Sequence, residues 1–386
     1  MSQPVSSDRS PVFIAFGGLI AMAVGIGIGR FVYTPILPPM MAELGLSKFV
    51  SGLIASANFV GYLTGALLAT RTALPGPPGA WLPGALAVSA LTTAGMGLTE
   101  SVPAFMALRF LGGLASALAL ILSSALVLER LAQVGRPGLA ALHFAGVGIG
   151  IALSAALVAM QLATGAGWPA MWLICGGVSL LGALAVLLLV PGRTIAAAPA
   201  QVPPRARTDP ALRRMAAAYG LFGFGYVITA TFIVAIVRST PSIAPLEPAI
   251  WVVVGLAAAP SVILWTWLAR RFGIVGGFGL ACLTEAVGVL ASVVWPTASG
   301  IMLASALLGG TFMGLTALGL MRARELAAGL DPRRAMARLT GMFGLGQIVG
   351  PIFAGAVFDM TGDFALPSYV AAAGLVVAAL LVRVRR

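Results

Sequence analysis

Long apolar stretches, separated by short connections that hold charges or Pro/Gly clusters, set the pattern of this 386-residue chain. Residues 49–70, 110–128, 215–237, 248–269, 286–321, 339–358 and 364–382 contain no Asp, Glu, Lys or Arg, and 137–192 is free of them over a length that suits two spans. From Pro11 to Ala42 the chain carries one charge, Arg30. An α-helix rises about 1.5 Å per residue, so about 20 apolar residues cross a hydrocarbon layer of about 30 Å. The pattern predicts twelve helices, over 12–36, 48–70, 80–98, 102–130, 137–162, 168–190, 213–237, 247–269, 274–294, 298–321, 336–358 and 365–383. Prolines at 35 and 38 suggest that the first ends there. LPGPPG (74–79) and TGAGWP (164–169) are turn chemistry. A transmembrane β-barrel would show alternating segments of about 10 residues, and none is seen.

Composition agrees with an all-α polytopic membrane protein. The chain is 60% hydrophobic and 9% charged, against about 25% charged in soluble proteins. Its net charge of +12 does not point to nucleic acid, because the arginines gather in the connections. With the N-terminus in the cytoplasm, nineteen Lys and Arg fall on the inner side and two, Lys48 and Arg238, on the outer. That asymmetry predicts both termini in the cytoplasm. Arg30 and Arg109 remain inside spans. MSQPVSSDRS lacks the layout of a cleavable signal, so the first helix is expected to stay. Cys175 and Cys282 lie in apolar runs and read as small buried hydrophobes, with no metal site and no cofactor implied. The Pro/Ala/Arg-rich stretch 191–210 reads as a cytoplasmic linker, giving an N-terminal half (1–190), a linker (191–211) and a C-terminal half (212–386). No P-loop pattern and no segment long enough for a nucleotide-binding domain is present.

The second half echoes the first. GIGRF (27–31) recurs as GFGYV (223–227) at an offset of 196, FLGG (110–113) as LLGG (307–310) at 197, and FAGVG (144–148) as FGLGQ (343–347) with its glycines offset by 198. Three weak matches in order describe two parallel six-helix halves, the plan of transporters that bind substrate between halves near the midplane.

RFLGG (109–113) resembles the fourth-helix motif of the major facilitator superfamily, an arginine followed four residues later by glycine. LARRFG (268–273) looks like a reduced form of that family's basic loop, and GQIVGPIFAG (346–355) is similar to its Gly-Pro motif on the fifth helix of proton-coupled antiporters, here on the eleventh. GIGIGRFVYTPILPPM (25–40) strongly resembles the signature of the YbfB/YjiJ-type branch of bacterial inner-membrane transporters. Two departures stand out: the first-half basic loop keeps only Arg71, and the fifth helix has GVGIGIALS without the Gly-Pro pair. The resemblance implies a transporter with helices one and four lining a central cavity and helix nine at the periphery; the expected activity is secondary active transport by a monomer, coupled to protons.

An arginine at mid-membrane costs about 2.5–3.5 kcal/mol on insertion scales, so it should face a wet or paired interior. Arg30 and Arg109 are therefore the leading substrate-binding candidates, hinting at an anionic solute; for Arg30 the rival reading is snorkelling to the outer surface. Tyr226 takes the repeat position of Arg30 and Ala306 that of Arg109. Tyr33, Thr34, Thr229, Asn58 and Gln347 are candidate hydrogen-bonding groups of the same site. Arg109, Glu285 and the lone histidine, His143, are candidates for proton coupling. Gly113, Arg270, Arg271, Gly350 and Pro351 are assigned to gating or packing. A multidrug or metabolite efflux antiporter is the nearest rival. A membrane enzyme would need clustered His, Cys or carboxylates, a channel a filter-like loop, and a sensor an added soluble domain.

Overall fold

A computed structural model describes residues 10–71, 78–190, 210–327 and 332–383. Most of the expected linker, 191–209, lies outside the described residues, as do Arg9, Arg193, Arg205, Arg207, Arg385 and Arg386 of the charge count. Eleven continuous helical passages are long and apolar enough to cross a membrane. They are α1 (Pro11–Leu44), α2 (Lys48–Arg71), α3 (Pro78–Gly95), α4 (Val102–Gln133), α5 (Ala140–Ala163), α6 (Trp168–Leu189), α7 (Pro210–Ser239), a passage over Glu247–Val294, α10 (Ala298–Leu326), α11 (Pro332–Thr361) and α12 (Ala365–Arg383). The 48-residue passage breaks at Gly273, whose φ of 74° and ψ of 160° suit only glycine. The break divides it into α8 (247–272) and α9 (274–294), so the twelve predicted crossings are present.

The first helix departs from its predicted end. It runs on to Leu44, with Pro38 and Pro39 inside it, and stops at Gly45 in the left-handed conformation (φ 63°). Two irregularities make this possible. Residues Ala23–Ile28 form a turn of π-helix, and the regular helix is interrupted for one residue, a turn, at Val32. Each proline removes a donor from the helix ladder, and the carbonyl that Pro35 leaves free, that of Phe31, accepts from Trp251 Nε1 at 3.1 Å. The bond comes from α8, in the other half of the molecule.

Two six-helix halves meet through α2 on α11, α5 on α8, and the C-terminal ends of α1 and α7. A half-turn that exchanges the halves converts the first pair into the second. The close crossings also correct the repeat register. A Cβ on Gly113 would lie 2.8 Å from the Asn58 carbonyl carbon, and one on Gly309 would lie 2.9 Å from that of Val254. Both partners are thus offset by 196, which aligns Arg109 with Ser305 instead of Ala306. These approaches matter because lipid tails are as apolar as leucine, leaving backbone-level packing to hold helices together. Gly27 serves α1 and α5 in the same way, its Cβ position 2.6 Å from Gly150 Cα.

Candidate functional site

Between the halves lies a cavity of ≈ 130 Å³. Its walls come from both halves: Arg30 and Phe31 of α1, Tyr62 of α2, Phe144 of α5, Tyr226 of α7, Phe312 and Thr316 of α10, and Phe343 of α11. From Arg30 it runs toward the arginine-rich end of the bundle, reaching Leu320 near the end of α10.

Arg30 is the one charged residue in that lining. It is 6% exposed, which removes the snorkelling alternative. Its guanidinium carbon stands 4.7 Å from the centre of the Phe59 ring, 4.4 Å from Tyr62 and 5.6 Å from Phe31. Ring faces attract the cation, but they accept no in-plane N–H, and Nε and Nη2 have no hydrogen-bond partner in the protein.

Arg109 stands apart from the cavity lining. Its Nη1 donates to the carbonyl of Gly29 at 3.2 Å and its Nη2 to that of Arg30 at 3.0 Å, with Tyr33 stacked 5.0 Å from the guanidinium carbon. Asn58 Nδ2 in turn donates to the Arg109 carbonyl at 3.0 Å. Only a planar fork of donors reaches two successive carbonyls in this way. Arg109 therefore braces the irregular stretch of α1 that presents Arg30. Of the two arginines expected to share a positive site, Arg30 lines the cavity and Arg109 does not; the expectation rested on both their helices, α1 and α4, lining the cavity, which leaves open the way each side chain turns.

The other candidates separate similarly. Tyr226 lines the cavity, and its hydroxyl accepts from Gln347 Nε2. Tyr33 donates to the Ser51 carbonyl at 2.8 Å, and Thr34 to the Ala230 carbonyl at 2.8 Å, which ties α1 to α7. Thr229 is buried with its hydroxyl unpartnered, outside the lining. Glu285 is fully buried on α9, turned inward from a helix whose Leu280, Val287 and Val294 are exposed. Neither carboxyl oxygen has a partner within hydrogen-bond distance; Thr311 and Tyr226 lie in its electrostatic surroundings. His143 is buried outside the lining, with Nε2 3.2 Å from Ser124 Oγ and its ring edge-on to Phe144 at 5.0 Å. Gly113 sits at the α2–α4 crossing; Gly350 packs on Val227 and Pro351 on Gly52, joining α11 to α7 and to α2. Arg270 and Arg271 are exposed at the end of α8, just before the break.

Sequence reasoning passed over Phe59, Tyr62, Phe312, Phe343 and Trp251. One signal was available: Tyr62 lies four residues after Asn58, hence on the same helix face. The phenylalanines are three among eighteen and carry no local mark.

The arginine-poor end of the interface is sealed. The Asp359 carboxylate, at the end of α11, accepts from the backbone N–H of Lys48 at 3.1 Å and of Phe49 at 3.0 Å, capping the start of α2. Ser56 donates to the Ile348 carbonyl at 2.7 Å. With Thr34 on Ala230 and Trp251 on Phe31, these make five hydrogen bonds from one half to the other, each at a backbone carbonyl or amide. Removing one buried hydrogen bond costs about 0.5–1.5 kcal/mol. Trp251→Phe keeps the ring and loses the donor, so it should open this end about two- to tenfold more often. Alkylation of a cysteine placed at Thr34 would measure it, and an unchanged labelling rate would show that the bond holds nothing shut.

A family model described as "Uncharacterised MFS-type transporter YbfB" matches residues 22–383. Among solved structures, the nucleoside transporter NupG (D323A mutant) superposes with a TM-score of 0.75 at 15% identity, over 95% of this chain and 98% of that one. A bacterial homolog of the human lysosomal transporter Spinster, in an inward-facing and unoccupied conformation, gives 0.67 at 14% identity, over 99% and 95%. No curated protein matches the sequence. Sequence motifs, twelve crossings in two halves, a cavity between them and the family match over 22–383 agree: the chain belongs to the YbfB family of MFS-type transporters, multi-pass membrane proteins that move a small molecule.

Proposed function

We propose that this protein is a secondary active transporter that carries a small organic anion across the bacterial inner membrane by alternating access. The observation that carries the reading is Arg30, buried between the halves with two guanidinium donors that no protein atom satisfies. An unpaired buried cation is costly, and a carboxylate seated on its Nε and Nη2 offsets that cost with two parallel charge-assisted bonds. The positive-inside count puts the arginine-rich end, toward which the cavity runs, and both termini in the cytoplasm. Glu285 supplies the coupling group: it is a buried carboxyl without a protein partner, and a change in its protonation would bear on Tyr226 and through it on the cavity wall. The lone charge being positive weighs against a cationic drug as cargo.

Purified protein in proteoliposomes, loaded with a mixture of small carboxylates, tests the reading. Net movement of at least one acid should follow an imposed pH gradient, stop in Arg30→Met, and lose its dependence on the gradient in Glu285→Gln. Transport that survives Arg30→Met would sink the anion site, and gradient dependence that survives Glu285→Gln would remove Glu285 from the coupling.

A further inference from the structure

The cavity says more about its cargo than its charge. In the wall of the cavity that holds Arg30, three rings share one orientation although they come from three helices. Tyr226 of α7 lies parallel to Phe312 of α10, with planes 3° apart and centres 5.7 Å apart, and parallel to Phe343 of α11, at 4° and 5.9 Å. Phe31 meets Phe312 edge-on at 5.6 Å. Each ring presents a negative face and a positive edge, which a further flat ring can meet by offset stacking or edge contact. A saturated ring of similar bulk gains only its burial.

Two more observations narrow the class. Phe59 and Tyr62 stand 4.7 and 4.4 Å from the Arg30 guanidinium carbon, and Nε and Nη2, adjacent on one edge of the guanidinium, are buried without a protein partner. That edge matches the two oxygens of a carboxylate. The cavity, at ≈ 130 Å³, falls well below the range of about 300–1,000 Å³ that holds drug-sized ligands. It suits one ring and its substituent.

We infer that the transported anion is a single-ring aromatic carboxylate, its carboxylate on the edge of Arg30 and its ring aligned with Tyr226, Phe312 and Phe343. This rests on the anion reading above and adds the ring. Benzoate, cyclohexanecarboxylate, benzamide and acetate separate the two ideas, because the pairs differ in aromaticity, in charge and in the presence of a ring. Titration calorimetry on the purified full chain should show benzoate binding about tenfold tighter than cyclohexanecarboxylate, as an aromatic pair contributes up to about 1.5 kcal/mol beyond burial. Benzamide and acetate should bind weaker than either. A Phe343→Leu, Phe312→Leu double variant should bring the two cyclic acids to within about twofold of each other while both still bind, whereas Arg30→Met should lose both together. Equal affinity of the two acids for the wild-type chain overturns the aromatic class and leaves the anion reading standing. Benzamide binding as well as benzoate overturns the anion reading, and the inference with it. Absence of benzoate binding overturns the inference outright.

Discussion

Arg30→Met will make the protein more stable and inactive. The unliganded chain holds a guanidinium that is 6% exposed, with Nε and Nη2 unsatisfied. Three nearby rings return part of its lost hydration, since each desolvated cation–π contact is worth up to about 2 kcal/mol. Nε and Nη2 stay unpaired beside them, and an effective penalty of several kcal/mol per buried ion remains. A methionine fills nearly the same volume beside Phe59 and Tyr62 and prefers aromatic edges. The expected gain is about 1–3 kcal/mol, seen as a higher midpoint of thermal unfolding in detergent, together with loss of acid-dependent stabilisation. Binding sites commonly sacrifice stability in this way. A variant both inactive and less stable would mean that Arg30 is structural, and the site would have to lie elsewhere.

Arg109→Met will do the opposite. Arg109 holds the carbonyls of Gly29 and Arg30 at 3.2 and 3.0 Å, just after the π turn of α1, and it is itself held by Asn58. Hydrogen bonds to a charged donor contribute about 1.5–3 kcal/mol each. Losing both, with the carbonyls left buried, should lower stability by about 2–4 kcal/mol and disable transport because Arg30 is no longer presented. Arg109→Lys is the sharper variant: an ammonium keeps the charge but cannot span two carbonyls in one plane. It should recover less than half of the lost stability. Full recovery by lysine would show that charge, not the fork, is what α1 needs. Together the two arginines make a reciprocal test, one residue binding at the expense of stability and the other stabilising without touching the cavity.

Much of the architecture was legible from the chain, and for a simple reason. In a bilayer every backbone group must be paired within its own segment, so an apolar run of sufficient length has one available structure. Run lengths and arginine positions therefore yielded the twelve crossings, and the glycine echoes the two halves. The end of α1 was not legible. Prolines at 35, 38 and 39 normally mark a terminus, but Trp251, more than two hundred residues away, supplies the bond that Pro35 forgoes. The repeat register slipped by one residue in the fourth and tenth helices for a related reason. Adjacent glycines, Gly112–Gly113 and Gly309–Gly310, look interchangeable in sequence, and only the crossings on Asn58 and Val254 tell which one packs.

By itself, then, the sequence determined that the chain crosses a membrane, how often, and that Arg30 and Arg109 sit inside it, because hydrophobicity and charge are properties of residues and act locally. Which arginine faces the cavity was decided by tertiary structure alone. Arg30 follows the π turn of α1 and lines the cavity between the halves, while its carbonyl accepts from Arg109. The ring set of Tyr226, Phe312 and Phe343 likewise exists only after α7, α10 and α11 pack together. Direction about a helix axis and proximity between helices are relations among distant segments, and no residue carries them alone.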